Sequence, residues 1–172
     1  IESQLALLAD RVEPGDQVTF YMIGHGSGAD ENAKFNIVGP DILGSEFAEL
    51  LNDFNEQDVV VVNSTSASYS FAAALSGERR IVISATRSPS EKYDTLFSDF
   101  FIGALDGRAG DSDKNERVSM LEAFNYARNS ISKWYEDQGR LAAAFVAPDW
   151  LGDATSIPAS WNRAHNRLTS SL

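Results

Sequence analysis

One of only two histidines in the chain, His25, stands between Gly24 and Gly26, where the apolar run 18–23 stops. An imidazole delivered by a buried strand to a loop can act as a general base or acid. A second segment, Asn63-Ser64-Thr65-Ser66-Ala67-Ser68, follows four consecutive valines and offers several hydroxyls. A serine paired with a histidine makes a hydrolase only when a carboxylate orients the imidazole. Asp30, Glu31 and Asp41 follow His25, and nothing in the sequence selects among them. Both segments also have a plain structural reading. Small residues at a strand end let the following helix pack closely, and a histidine between glycines is compatible with an ordinary turn. The other histidine, His165, lies in a polar stretch and reads as solvated.

A third segment, Asp-Ser-Asp-Lys-Asn-Glu-Arg-Val-Ser-Met-Leu-Glu at 111–122, has the spacing of a calcium loop. Loops of the EF-hand kind place oxygens at positions 1, 3, 5, 7, 9 and 12. Those positions are Asp111, Asp113, Asn115, the Arg117 carbonyl, Ser119 and Glu122, and Val118 supplies the apolar eighth residue. Position 6 is Glu116, where a glycine normally allows φ > 0. Calcium is therefore the cofactor expected. A second reading makes Ser119 the N-cap of a following helix and Glu122 the partner that completes its capping box. The two readings are compatible.

Composition narrows the function. The 172 residues are 43% hydrophobic and 23% charged, a globular mixture sufficient for one domain. With no cysteine, disulfides, thiol nucleophiles and thiolate metal sites are excluded. The net charge of −11, from 25 acidic and 14 basic residues, disfavours nucleic acid and anionic membrane surfaces as partners. No apolar run approaches the ~20 residues that span a bilayer. No signal peptide is visible, and the chain starts at Ile1. It reads as a fragment or processed form, and a missing upstream signal would allow an extracytoplasmic location.

The elements that must position these groups follow from periodicity. Helical patterns are predicted over 1–12, 45–52 (with Ser45 as N-cap), 71–75, 96–105 and 118–136. Strands are predicted over 18–23, 58–63 and 80–84, with a short one at 35–38. Residues 27–35 read as a loop, residues 141–147 are ambiguous, and a short helix is expected near 161–168. The four valines lack alternation, as in a strand buried on both faces. Strand alternating with helix predicts an α/β three-layer sandwich with a mainly parallel sheet. Sites in such sheets form at the carboxyl ends of strands, here 24–26, 63–66 and 84–87.

Three ordered stretches, GDQVTFYMIGHGSG, VVVVNSTSASYSF and RIVISATRSPSEKY, resemble the caspase-fold cysteine peptidases. The likeness is to legumain-like members and their bacterial relatives, and it covers residues 15–138. It implies a single caspase-like domain over 1–172 that lacks a counterpart of the family's first strand. It places the catalytic histidine on His25 and an oxyanion-hole N–H on Gly26. Thr65 occupies the nucleophile position, or Ser64 or Ser66 if the register differs by one. Ser66, Thr86 and Arg87 would line the substrate cleft, with Arg87 facing either a substrate carboxylate or the acidic surface. The bacterial relatives share an acidic stretch like that at 111–115, which favours the metal. Relatives carry a more acidic segment where this chain has 142–154.

Thr65 departs from the family. A cysteine works because a thiol of pKa about 8.5 is held as thiolate beside an imidazolium. A threonine hydroxyl is far less acidic, and an internal threonine has no N-terminal amine to activate it. The resemblance thus implies a pseudopeptidase that binds a peptide or protein ligand in a remnant cleft. Two alternatives stay open: an active hydrolase using a Ser/Thr nucleophile with His25, and a calcium-stabilised structural or interaction module.

Overall fold

Val59, Val60, Val61 and Val62 each reach 1% exposure or less, and they divide between two cores. A strand projects successive side chains to opposite faces, so four adjacent buried valines require cover on both sides. The computed structural model describes residues 1–86, 96–107 and 109–138 and supplies that cover. The strand is Asp58–Asn63. It is flanked in parallel by Gln17–Met22 on one side and Arg80–Ser84 on the other.

In chain order the elements are helix α1 (Glu2–Ala9), strands β1 (Gln17–Met22), β2 (Gly26–Ser27), β3 (Lys34–Phe35) and β4 (Ile42–Leu43), and helix α2 (Gly44–Leu50). Then come β5 (Asp58–Asn63), α3 (Ser68–Leu75), β6 (Arg80–Ser84), α4 (Phe97–Asp106) and α5 (Met120–Asp137). On one face of the β1-β5-β6 sheet, Val59, Val61 and Val82 pack with Leu5 of α1, Phe47 of α2 and Phe71 of α3. On the other, Val60, Val62 and Ile83 pack with Phe97 and Phe101 of α4 and Phe124, Ala127 and Ile131 of α5. Helices thus cover both faces of a parallel sheet, an α/β arrangement compatible with a three-layer sandwich. Phe97 and Phe101 stack with ring centroids 5.1 Å apart. Both rings are fully buried in the core.

The structure revises four boundaries. Residues 27–35 are not one loop. They begin in β2 and end in β3, which pair antiparallel around a 3-10 turn at Asp30–Asn32. β4 then pairs with β3, where the sequence reading had only a strand at 35–38. This hairpin was hidden because two-residue strands carry no periodicity. Ser45 is not an N-cap: α2 starts at Gly44, and the Glu46 carboxylate accepts the Leu43 N–H at 2.8 Å. Even a methyl on Gly44 would be tight, since a Cβ there would lie 3.1 Å from the Ala74 Cβ. Finally, α3 begins three residues earlier than its apolar run, at Ser68. The serines of that first turn are buried and were not legible as helix.

Candidate functional site

The parallel register sets Met22, Asn63 and Ser84 side by side at the carboxyl ends of three neighbouring strands. The loops at 24–26, 63–66 and 84–86 therefore converge, as the strand reading required. Hydrogen bonds tie them together. The Ser64 N–H and hydroxyl both donate to the Met22 carbonyl, at 3.1 and 2.7 Å. The Ser66 hydroxyl donates to the Gly26 carbonyl at 3.0 Å.

Gly26 packs directly on the turn after β5. A Cβ at that position would fall 2.6 Å from the Thr65 hydroxyl oxygen and 2.8 Å from the Ala67 Cβ. Glycine is needed here for close approach and not for φ. Thr65 itself is 1% exposed. Its N–H donates to the Asn63 carboxamide oxygen at 3.0 Å, and its carbonyl accepts from the Ser68 N–H. His25, immediately before Gly26, is exposed, and its carbonyl accepts the Asn36 N–H at 3.0 Å.

Thr86 lies across the third strand end, and it is 2% exposed. Its hydroxyl accepts the Tyr69 N–H at 2.9 Å, satisfying an otherwise orphan donor at the start of α3. It also stands 3.0 Å from the Ser68 hydroxyl. Ser68 accepts from the Thr86 N–H at 3.0 Å and from the Ser84 hydroxyl at 3.2 Å. Ser68, Ser84 and Thr86 thus form a buried hydroxyl knot that docks α3 onto β6. Ser68 was among the hydroxyls and Ser84 among the strand-end residues of the sequence reading, but their bonding to each other and to Thr86 was not foreseen. Their signal was the small polar residue at each strand end and helix start.

Tyr21 of β1 lies next to this region on the opposite face. Its phenol approaches Ser64 and Ser98 without full hydrogen-bond geometry to either. Burial chiefly, with Asp99 adding to it, pushes the phenol pKa up, against the opposing effect of the two serines. It stays neutral. Of the carboxylates that might orient His25, Asp41 is engaged in the β3–β4 connection. It accepts from the Ile37 N–H at 3.3 Å and from the Asn36 amide at 3.2 Å. Asp30 and Glu31 lie in the 3-10 turn. The structure brings His25, Gly26, Thr65, Ser66 and Thr86 to one end of the sheet. Arg87, Glu91, His165 and the segments 141–147, 142–154 and 161–168 lie outside the described residues.

A second candidate site lies in the loop before α5. Asp111, Asp113 and Glu122 each present a carboxylate oxygen within 4.8 Å of the others, a group able to hold a metal ion. The loop folds back on its own side chains. Asp111 accepts from the N–H groups of Asn115 and Glu116, both at 3.0 Å. Asp113 accepts from the Asn115 N–H at 3.1 Å, and Asn115 Oδ1 from the Arg117 N–H at 2.9 Å. Lys114 and Glu116 both adopt positive φ, 60° and 67°. Glu116 thus takes the left-handed conformation that the sixth loop position demands, without being glycine.

Ser119 and Glu122 form the expected capping box. The Glu122 N–H donates to Ser119 Oγ at 3.2 Å, and Ser119 N–H and Oγ donate to Glu122 Oε2 at 2.9 and 2.8 Å. Ser112 donates its N–H and hydroxyl to Glu122 Oε1, at 3.0 and 2.9 Å. Partial burial opposes ionisation of Glu122, but these donors outweigh it and hold the carboxyl at about 2, against an ordinary 4.5. The carboxylate links the two ends of the loop.

Comparison of the chain with family models, curated proteins and solved structures finds no match. Among the described residues no helix is long and apolar enough to cross a membrane.

Proposed function

We propose that this chain is a caspase-like, legumain-type domain without peptidase activity. It would bind an extended peptide or protein segment at the carboxyl end of its parallel sheet. The observation that carries the reading is the seating of Thr65. The hydroxyl that replaces the family's thiol is packed beneath Gly26, the residue after His25, in the segments that follow two neighbouring parallel strands. A buried secondary alcohol is a poor nucleophile unless a base is hydrogen-bonded to it. Ser66 fares no better as a substitute while its hydroxyl is bonded to the Gly26 carbonyl. What remains for a ligand is the exposed surface at the strand ends, where His25 is exposed and Ile23 and Tyr69 are 63% and 41% exposed.

Calcium completes the reading. Hard carboxylate oxygens suit that ion, and Asp111, Asp113 and Glu122 would be its charged ligands, with Asn115, Ser119 and the Arg117 carbonyl as the remaining oxygens. Its role would be to fix the loop that leads into α5, part of the core behind the sheet.

Incubation with a panel of extended peptides of varied sequence, followed by mass spectrometry and by amide shifts, tests the proposal. The expected result is shifted amides at 23–28 and 64–69 with intact peptide. Cleavage lost in His25→Ala would overturn the pseudoenzyme reading in favour of an active hydrolase. Intact peptide with unmoved amides would overturn the binding reading. Thr65→Cys tests the inherited geometry: labelling by an electrophilic peptide that depends on His25 is expected.

A further inference from the structure

The structure contains a groove away from the strand ends, of about 630 Å³, between the start of α1, the β3–β4 connection and α2. Such a volume falls in the range that takes a few side chains of a ligand, roughly 300–1,000 Å³. Its floor is apolar, with Ile37 and Leu50 among the lining residues. Its rim is acidic. Glu2, Asp41, Glu46 and Glu49 all line it, and none of the described lining residues is Lys, Arg or His. No described lysine or arginine is ion-paired to any of the four. Asp41 and Glu46 accept N–H groups, which holds their carboxylates in place without neutralising them.

Four carboxylates without a described lysine or arginine partner, beside apolar side chains, favour a ligand that is apolar in the middle and cationic at its edges. We infer that this groove docks a basic amphipathic peptide segment of a partner protein, with lysine or arginine reaching the rim and aliphatic side chains filling the floor. Apolar burial would supply affinity. The rim would supply orientation, on-rate and the rejection of acidic segments. Neither His25 nor Thr65 lines this groove, although its Asp41 accepts from Asn36, whose N–H donates to the His25 carbonyl.

The test uses two synthetic probes, an amphipathic leucine–lysine peptide and its leucine–glutamate counterpart, titrated calorimetrically at low and high salt. The lysine peptide should bind, more weakly at high salt, and the glutamate peptide should not. Glu2→Lys with Glu49→Lys should weaken the lysine peptide by about tenfold or more. Glu136→Lys with Asp137→Lys makes the same change in net charge at the end of α5 and should leave binding within about twofold. Equal weakening in both double variants would mean the peptide reads only overall charge and would overturn the inference. So would absent binding, or a simple polyamine binding as tightly as the peptide. Amide shifts at 37–50 rather than 23–28 separate this groove from the strand-end site.

Discussion

Gly26 and Thr65 approach so closely that a single methyl cannot be placed between them: a Cβ on Gly26 would lie 2.6 Å from the threonine oxygen. This contact joins the loop after β1 to the turn after β5. It determines both where His25 stands and how deeply Thr65 is buried.

Gly26→Ala is therefore expected to destabilise the protein by about 1–3 kcal/mol, the usual cost of forcing a methyl into a filled site. Urea unfolding measures it. Thr65→Ser, which removes the β-methyl but keeps the hydroxyl, should be tolerated far better. If Gly26→Ala unfolds at the wild-type midpoint, the two loops are not in contact.

Thr86→Val should cost about 1–3 kcal/mol, because the buried Ser68 hydroxyl and the partly buried Tyr69 N–H lose their partner. Thr86→Ser should restore most of the loss. The pair separates a hydrogen-bonding role from one in peptide recognition. A substrate-contacting Thr86 would change peptide affinity in the valine variant while leaving the unfolding midpoint in place.

Glu122 has a folded pKa of about 2, below its ordinary 4.5. A depressed carboxyl stabilises the fold fully above its unfolded value, and the contribution is lost as pH falls through the folded one. Glu122→Gln should accordingly show its largest deficit above about pH 4.5 and converge on the wild type as pH approaches 2. Thermal unfolding along a pH series measures the gap. A gap constant across that window would mean the carboxylate is not held by Ser112 and Ser119.

Millimolar calcium should raise the melting temperature, and Asp111→Ala should abolish the rise. Glu116→Gly should stabilise the calcium-free protein by about 0.5–1 kcal/mol, since glycine adopts φ of 67° without strain. Tighter calcium binding is expected with it, because the loop no longer strains at its sixth position. Calorimetric titration of the two variants checks both statements.

Much of this architecture was legible because long elements state their own surroundings. The valines of β5 demanded two cores, and the apolar spacing in α5 marked the helix, although its buried face runs through Ala123 and leaves Trp134 37% exposed. The capping box at Ser119 and Glu122 was written in residue types alone. What stayed hidden depended on contacts between distant segments. The hairpin from Gly26 to Leu43 arises from pairings of two residues each. The burial of Thr65 follows from Gly26 lying above it, which no local pattern records. Ser68 looked like turn filler until Ser84 and Thr86 were found around it. Asn63 stood out in the sequence only as the residue at a strand end, yet its carboxamide builds the turn.

A β5 strand that is equally oily on both faces has no preferred phase. In most sheets a slip by one residue turns charged groups inward and is rejected at once. Here a slip would merely exchange valines between the two cores. Alignment must instead be enforced at the two ends: by Ser64 on the Met22 carbonyl, and by the Arg79–Asp58 ion pair at 3.0 Å. Weakening both clamps together should yield folded but misphased molecules, detectable as a second set of valine methyl resonances, before it yields unfolded ones.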